Sequence, residues 1–174
     1  MIGVGFVINW VLFPHSVKPD DMSRSIVEIF SKSEAMIDSG KFTYESNEVL
    51  KILEPELQKL GFQVEKSKKA EDKIHVPVLY GMNGRVEKSF EADGYHPECQ
   101  YVLEVEAGRG YVNNQFLKDF FEACVMINVD KLCIAVRNKY KASNDFDKVC
   151  RFFDSLYASN KLQIPLSSLL IIGY

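Results

Sequence analysis

The sequence predicts an α/β protein: a three-layer sandwich in which helices cover both faces of a central mixed β-sheet. Four segments repeat apolar residues with helical spacing. Short runs rich in β-branched and aromatic residues lie between and after them. The resulting order is helix, helix, several strands, helix, strand, helix, strand. A helix between two strands implies a parallel crossover, whereas the strands in the middle of the chain favour an antiparallel hairpin.

Each predicted helix carries an apolar stripe. The helical segments cover approximately 23–37, 46–61, 113–128 and 146–157. Ser46 or Asn47 is a candidate N-cap of the second segment, which stops at Gly61. Pro55 falls inside it, where proline kinks or divides a helix. The stripe of the third segment is the widest, which indicates deep burial.

The predicted strands are short and apolar. They cover 62–65, 74–80, 86–93, 101–107, 132–136 and 169–172, and the run 1–13 is interpreted as a strand or buried arm. This run is too short to cross a membrane as a helix, and Gly3, Gly5 and Asn9 interrupt it. No basic residue precedes Lys18, so a secretory signal peptide is not expected.

Composition limits the classes of function. The 174 residues carry 21 Lys and Arg against 24 Asp and Glu, a net charge of −3, which suits one soluble domain spanning 1–174. The four cysteines form no CxxC pair and have no histidine at zinc-finger spacing, which favours a reduced, cytoplasmic compartment. No P-loop, dinucleotide fingerprint or serine-hydrolase elbow is present, so no nucleotide cofactor is expected.

Three acidic residues lie around the predicted hairpin. Alternation along the strand 101–107 places Glu104 and Glu106 on the same face. A hairpin that reverses between 98 and 99 pairs residue i with residue 197 minus i, which places Asp93 opposite Glu104. Opposed Cβ atoms are about 4.5–5.5 Å apart, a distance at which like charges repel. We therefore expect either a cation between the carboxylates or a raised pKa for at least one of them.

These oxygens are suited to a hard divalent ion. Mg²⁺ takes carboxylate ligands together with a backbone carbonyl, such as that of Val105, and completes its octahedron with water and substrate phosphate. A solvated strand face is the alternative, because a hairpin with one wet side is common. The apolar helix and strand that follow place this hairpin near the centre of the sheet, where acids seldom cluster.

The residues then indicate a family. Asp93, ten intervening residues and Glu104-Val105-Glu106 on an apolar strand followed by a helix resemble the core motif of the PD-(D/E)xK nuclease superfamily, which includes many type II restriction endonucleases. The preceding helix, ending at Gly61-Phe62, fits the family order of helix, three strands, helix and strand. The resemblance covers about 45–137 and implies a restriction endonuclease-like fold with an added strand and helix before it and a helix and strand after it.

Two positions depart from the family motif. Ala92 stands where many members have proline, and Glu106 stands where most have the catalytic lysine, although one restriction-enzyme subgroup also has glutamate there. The resemblance implies that Glu106 orients or deprotonates the attacking water or binds a second metal. If the substitution is instead decay, the fold survives and catalysis does not. Many members add a glutamate from the first core helix, for which Glu48 is the first candidate and Glu45 the second, with capping or solvation as the alternative.

The implied activity is Mg²⁺-dependent hydrolysis of phosphodiester bonds in DNA, with Mn²⁺ as a substitute ion. Asp93, Glu104 and the Val105 carbonyl would hold the metal, which polarises the phosphoryl oxygen and activates water. Cutting both strands of a duplex requires two such sites, an arrangement that a homodimer supplies. An inactive nuclease-fold module that binds nucleic acid or protein is the alternative, and a small-molecule enzyme using the same acids is a third.

Charge is distributed unevenly along the chain. Residues 86–106 contain six acids and one base, whereas 131–151 contain six bases and two acids. A basic flank beside an acidic pocket suits a polyanion, although loop solvation gives the same count. The candidate phosphate contacts are Arg109, Lys118, Lys139 and Lys141.

Polar residues elsewhere have simpler explanations. Asn113, Asn114 and Gln115 open the third helix, where an asparagine N-cap is the favoured interpretation over an active-site role. His96 and Cys99 are interpreted as turn residues, because a fourth zinc ligand is missing.

Overall fold

The computed structural model describes residues 8–108, 111, 113–139 and 141–174. The described helices are α1 (Asp21–Ile37), α2 (Ser46–Leu60), α3 (Gln115–Val125) and α4 (Asp145–Ser159). The described strands are β1 (Asn9–Phe13), β2 (Gln63–Val64), β3 (Ile74–Tyr80), β4 (Val86–Ala92), β5 (Gly94–His96), β6 (Tyr101–Glu106), β7 (Lys131–Val136) and β8 (Ser168–Gly173).

Six of these strands form one mixed sheet in the order β1-β8-β7-β6-β5-β2. Strands β6, β7 and β8 are parallel, because α3 and α4 supply the crossovers. Strand β5 is antiparallel to β6, and the outer strands β1 and β2 are antiparallel to their neighbours. The prediction of an antiparallel hairpin beside a parallel crossover is confirmed.

The hairpin differs from the prediction in one respect. Strand β4 does not pair with β6; it pairs with β3 in a separate two-stranded sheet. The chain leaves that hairpin at Asp93 and enters the central sheet as the short strand β5, over residues predicted as a turn. The predicted register is nevertheless correct, since Gly94 lies opposite Leu103 and Tyr95 opposite Val102.

Two apolar cores lie on opposite faces of the central sheet. On one face Leu103 and Val105 pack with Ile26, Phe30 and Leu53 of α1 and α2. The other core holds, among others, Val102, Leu132, Ile134, Phe116, Phe120 and Phe153, which brings α3 and α4 to the second face. Each fully buried large side chain contributes about 1.5–3 kcal/mol. The protein is therefore an α/β sandwich, and alternation directs Glu104 and Glu106 toward α3.

Hydrogen bonds of His96 connect the end of α2 to the turn after β5. The helix runs through the exposed Pro55 without being divided and ends at Gly61, whose φ of 105° is left-handed. His96 is buried: its Nδ1 accepts from the Cys99 amide at 3.2 Å, so its Nε2 donates to the Leu60 carbonyl at 3.0 Å. The interpretation as turn residues holds for Cys99, whereas His96 is the last residue of β5.

The N-terminal end of α3 lies at the asparagines predicted to cap it. Asn114 occupies the N-cap position of α3, but its side chain makes no capping hydrogen bond.

Arg109, a predicted phosphate contact, lies outside the described residues, as do positions 1–7 of the predicted N-terminal strand. In the part of the chain that the structure describes, no helix is long and apolar enough to cross a membrane.

Candidate active site

The predicted acids meet where the two-stranded hairpin joins the central sheet. Asp93 directly follows β4, and its Oδ2 accepts a hydrogen bond from the Val105 amide at 2.8 Å. The pairing of Gly94 with Leu103, extended by one residue, places Asp93 beside Glu104. The half-buried side chains of Asp93, Glu104 and Glu106 line one cavity.

The backbone carbonyl oxygen of Val105 lies on the edge of β6 that faces Asp93. The N–H and C=O of one residue in an extended strand point to the same edge of that strand. Since the Val105 amide points to Asp93, the Val105 carbonyl lies on that edge too, beyond the last residue of β6 that pairs with β5. Asp93, Glu104 and the Val105 carbonyl thus form an all-oxygen set of the kind that Mg²⁺ prefers.

The cavity is small and strongly acidic. Its volume is about 150 Å³, and we call it the acidic cavity. Its charged lining residues are Glu65, Glu91, Asp93, Glu104, Glu106, Asp119, Glu122, Lys73 and Lys118. If all seven carboxyl groups were ionised, their repulsion would far exceed the attraction of the two ammonium groups. The cavity therefore favours a bound cation or protonation of some of the acids.

The pKa values reflect this crowding. Burial, followed by repulsion from neighbours such as Glu65, raises the pKa of Asp93 to about 7 against a favourable hydrogen bond from Val105. Burial, followed by repulsion from Asp93, raises the pKa of Glu104 well above its ordinary value. Burial and the nearby Asp119 raise the pKa of Glu106 to about 10. The pKa of Asp119 is raised as well, mainly by burial.

One side of the cavity is closed by a salt bridge that the sequence did not indicate. Lys73 Nζ lies 3.0 Å from both carboxylate oxygens of the buried Glu65 and 3.2 Å from Glu91. The Glu65 amide also donates to the Asp93 carbonyl at 2.8 Å. Glu65 ends the predicted strand 62–65, and Lys73 lies just before the predicted strand 74–80. Because their pairing depends on how β3 and β4 fold back, no local pattern predicts it.

The opposite wall is supplied by α3, through residues that the sequence analysis did not select. Gln115, Asp119 and Glu122 have the spacing of one helical face, and all three line the acidic cavity. Gln115 Nε2 donates to Asp119 Oδ1 at 3.1 Å. This polar face inside a largely apolar helix was the available signal.

Several predicted residues lie elsewhere. Glu48 is exposed, and its Oε2 accepts from the Glu45 amide at 2.8 Å in a capping box, so Glu48 does not line the acidic cavity. Of the polar residues opening α3, Gln115 lines the acidic cavity. Lys118 lines it too, 3.5 Å from Glu122, whereas Lys139 and Lys141 line a different cavity.

A larger cavity adjoins the acidic one. It has a volume of about 660 Å³, and we call it the basic groove. Its charged lining residues are Lys68, Arg137, Lys139, Lys141, Glu45 and Glu106. Arg137 is buried and donates to the Tyr44 carbonyl. The groove shares Ser46 and Glu106 with the acidic cavity, so the two spaces adjoin at these residues.

The described side chains do not form a closed ligand set as they stand. Within these residues, no group of three or more His, Cys, Asp or Glu side chains has the geometry of a metal site. The donor chemistry nevertheless fits a hard cation, because the cavity supplies carboxylate and carbonyl oxygens and one buried carboxylate oxygen, Asp119 Oδ2, has no hydrogen-bond partner among the described residues.

Comparison with protein-family models, with curated proteins and with solved structures finds no match to this chain. The fold and the site therefore define a class in structural terms: an α/β sandwich with an acidic cavity next to a basic groove. Any activity has to be argued from the residues themselves.

Proposed function

We propose that the protein is a Mg²⁺-dependent endonuclease of the restriction type, which hydrolyses phosphodiester bonds in DNA. The observation that carries the proposal is that the acidic cavity and the basic groove are adjacent and share the lining residues Ser46 and Glu106. A phosphate in the groove would lie at the mouth of the acidic cavity. Metal-assisted cleavage of a polyanion needs this combination of charges.

The residues of the site would have separate roles in metal binding and proton transfer. Asp93, Glu104 and the Val105 carbonyl would hold Mg²⁺. Bound Mg²⁺ would polarise the phosphoryl oxygen and lower the pKa of water. Glu106 lies where the cavity and the groove meet, and burial with the nearby Asp119 raises its pKa to about 10, so without metal it is protonated at neutral pH. A divalent ion in the cavity would lower that pKa and leave the carboxylate able to accept a proton. We assign to it the proton of the attacking water.

Cleavage of supercoiled plasmid tests the activity. The purified protein should convert plasmid to nicked and linear forms in Mg²⁺ or Mn²⁺ and leave it intact in EDTA. Linear product formed without accumulation of nicked plasmid would support the two-site homodimer. Plasmid that stays intact with both ions would overturn the proposed activity.

The alternative is a module that binds nucleic acid or protein without cutting it. The two lysines that line the acidic cavity favour this alternative, because Lys73 is paired with Glu65 and Lys118 with Glu122. Because each of these lysines is held by a glutamate, neither takes the role of the catalytic lysine, whose position in the motif is occupied by Glu106. Under this alternative, DNA binding persists, and neither cleavage nor an Mg²⁺-dependent rise in melting temperature is observed.

The basic groove gives a separate prediction. Changing Lys139 and Lys141 together to alanine should weaken DNA binding on the order of tenfold and reduce the slope of log K against log salt by about two, because two phosphate contacts are lost. Fluorescence anisotropy with duplex DNA in EDTA, over a range of salt, measures both. The control is Lys161→Ala, which removes an exposed lysine that does not line the groove. A double variant with unchanged slope would place the DNA elsewhere.

A further inference from the structure

We infer that Arg137 binds a phosphate of the polynucleotide in the basic groove and fixes its position, whereas the lysines of the groove attract the polyanion without positioning it. The inference deepens the proposed function and rests on it for the identity of the ligand. Its basis is separate, because it comes from the burial and the contacts of one side chain at the end of β7.

The sheet register places Arg137 at the same end of the sheet as Glu106. Strands β6 and β7 are parallel, and Glu106 lies opposite Val136, the residue before Arg137. Val136 packs in the core on the α3 side, so alternation turns the Arg137 side chain toward α1 and α2. Arg137 and Glu106 both line the basic groove, which therefore spans the edge of the sheet where β6 and β7 end. Ligands of open α/β sheets commonly bind at this edge.

The Arg137 side chain is held in place by the folded protein itself. The residue is 7% exposed, and its guanidinium donates to the Tyr44 carbonyl. The backbone is fixed on both sides, since the Tyr174 amide donates to the Val136 carbonyl at 3.1 Å and the Asn138 amide donates to the Tyr174 carbonyl at 2.8 Å. A guanidinium carries five N–H donors in a rigid fork, which allows it to contact the backbone and to bind a phosphate in a fixed direction.

The lysines of the groove differ from Arg137 in their exposure. Lys139 and Lys141 are exposed, and the Lys68 side chain is 74% exposed, 3.7 Å from Glu45. An ammonium group on a flexible chain attracts phosphate without fixing its direction. Salt screens exposed charges strongly and buried charges much less. The lysines are therefore expected to set the salt dependence of DNA binding, and Arg137 the placement of one phosphate.

This division of roles predicts different defects. Arg137→Lys keeps the positive charge and loses the fork, so the slope of log K against log salt should stay unchanged while the cleavage rate at saturating DNA falls about 100-fold. A phosphate released from Arg137 would no longer be fixed relative to Glu106, to which we assign the proton of the attacking water. A role confined to stability would lower the melting temperature and leave the rate of the folded protein unchanged.

Binding of inorganic phosphate to the full chain in EDTA, measured by isothermal titration calorimetry, tests the contact without any need for cleavage. The native protein should bind phosphate, and Arg137→Lys should weaken this binding about tenfold, because a bidentate charged contact is lost. The matched control is Arg151→Lys, which changes an exposed arginine on α4 that does not line the groove.

The outcomes separate the inference from the proposed function. If the native protein cleaves plasmid and Arg137→Lys binds phosphate and cleaves as the native protein does, the inference is wrong and the proposed function stands. If the native protein does not cleave and Arg137→Lys still loses phosphate binding, the contact is supported and the proposed function fails. A native protein that binds no phosphate refutes the inference whether or not it cleaves.

A second measurement covers a variant that does not fold. Should Arg137→Lys be unfolded, a crystal of the native protein soaked in tungstate, an anomalous scatterer with the shape of phosphate, replaces it. An anomalous peak within hydrogen-bond distance of the Arg137 guanidinium supports the inference. Peaks confined to the lysines, or no peak in the groove, refute it.

Discussion

Replacing Asp93 by asparagine is expected to lower the rate of Mg²⁺-dependent plasmid cleavage about 1000-fold without unfolding the protein. The amide oxygen of asparagine can still accept from the Val105 amide, so the local geometry is kept. The negative charge that would hold the metal is lost. A metal contributes several kcal/mol to transition-state stabilisation, and a loss of about 4 kcal/mol corresponds to about 1000-fold in rate.

Initial rates of plasmid cleavage at saturating Mg²⁺ measure this effect. Glu104→Gln should show a similar loss, since it removes the other carboxylate of the set. The matched control is Glu98→Gln, which neutralises an exposed acid in the turn between β5 and β6. If the Asp93 and Glu104 variants both keep rates within tenfold of the native protein, the metal is held by other residues.

The second large effect concerns pH. The folded protein should be less stable at about pH 8 than at pH 5.5 in the absence of metal, by at least about 3 kcal/mol, the amount expected from Glu106 alone. Burial raises the pKa of Glu106 to about 10 and that of Asp93 to about 7, so the folded state retains protons that the unfolded chain has already released. Stability is then fully present below the unfolded pKa values and is lost as the pH rises toward the folded ones. Each pH unit with one extra bound proton costs about 1.4 kcal/mol.

Urea unfolding followed by circular dichroism, in EDTA at constant ionic strength, measures the free energy of unfolding at both pH values. Glu106→Gln should flatten the dependence, because the retained proton is removed together with the carboxyl group. Mg²⁺ should stabilise the native protein more at the higher pH, where it replaces protons at lower cost. A free energy of unfolding that rises between the two pH values would show that the cluster is not buried in solution.

The parts of the fold that follow from local patterns were predictable. The apolar stripes located four helices, and the register of the hairpin followed from the position of its turn, so that Asp93 and Glu104 were placed side by side from the numbering alone. The pairing of β4 with β3 was missed. Both segments are short and half-exposed, and nothing in their residues distinguishes a partner in the central sheet from a partner in a separate hairpin.

The site was predictable where it lies on one strand and much less so where it depends on packing. Glu104 and Glu106 share a face because of strand alternation. Asp119 joins them only because α3 crosses that face, and its helical spacing with Gln115 was the sole local hint. Glu48 was selected by its place in a family pattern, but its carboxylate caps α2 through the Glu45 amide. Capping is decided within one helical turn, whereas a role in the site would require a long-range contact.

The junction at Asp93 has a mechanical consequence. Asp93 alone separates β4 of the outer hairpin from β5 of the main sheet, and Val76 and Ala92 anchor that hairpin in the α3 core while Leu79 and Met82 are exposed at its tip. A partner that bound the exposed tip and displaced β4 would therefore act first on Asp93, the residue that lies beside Glu104.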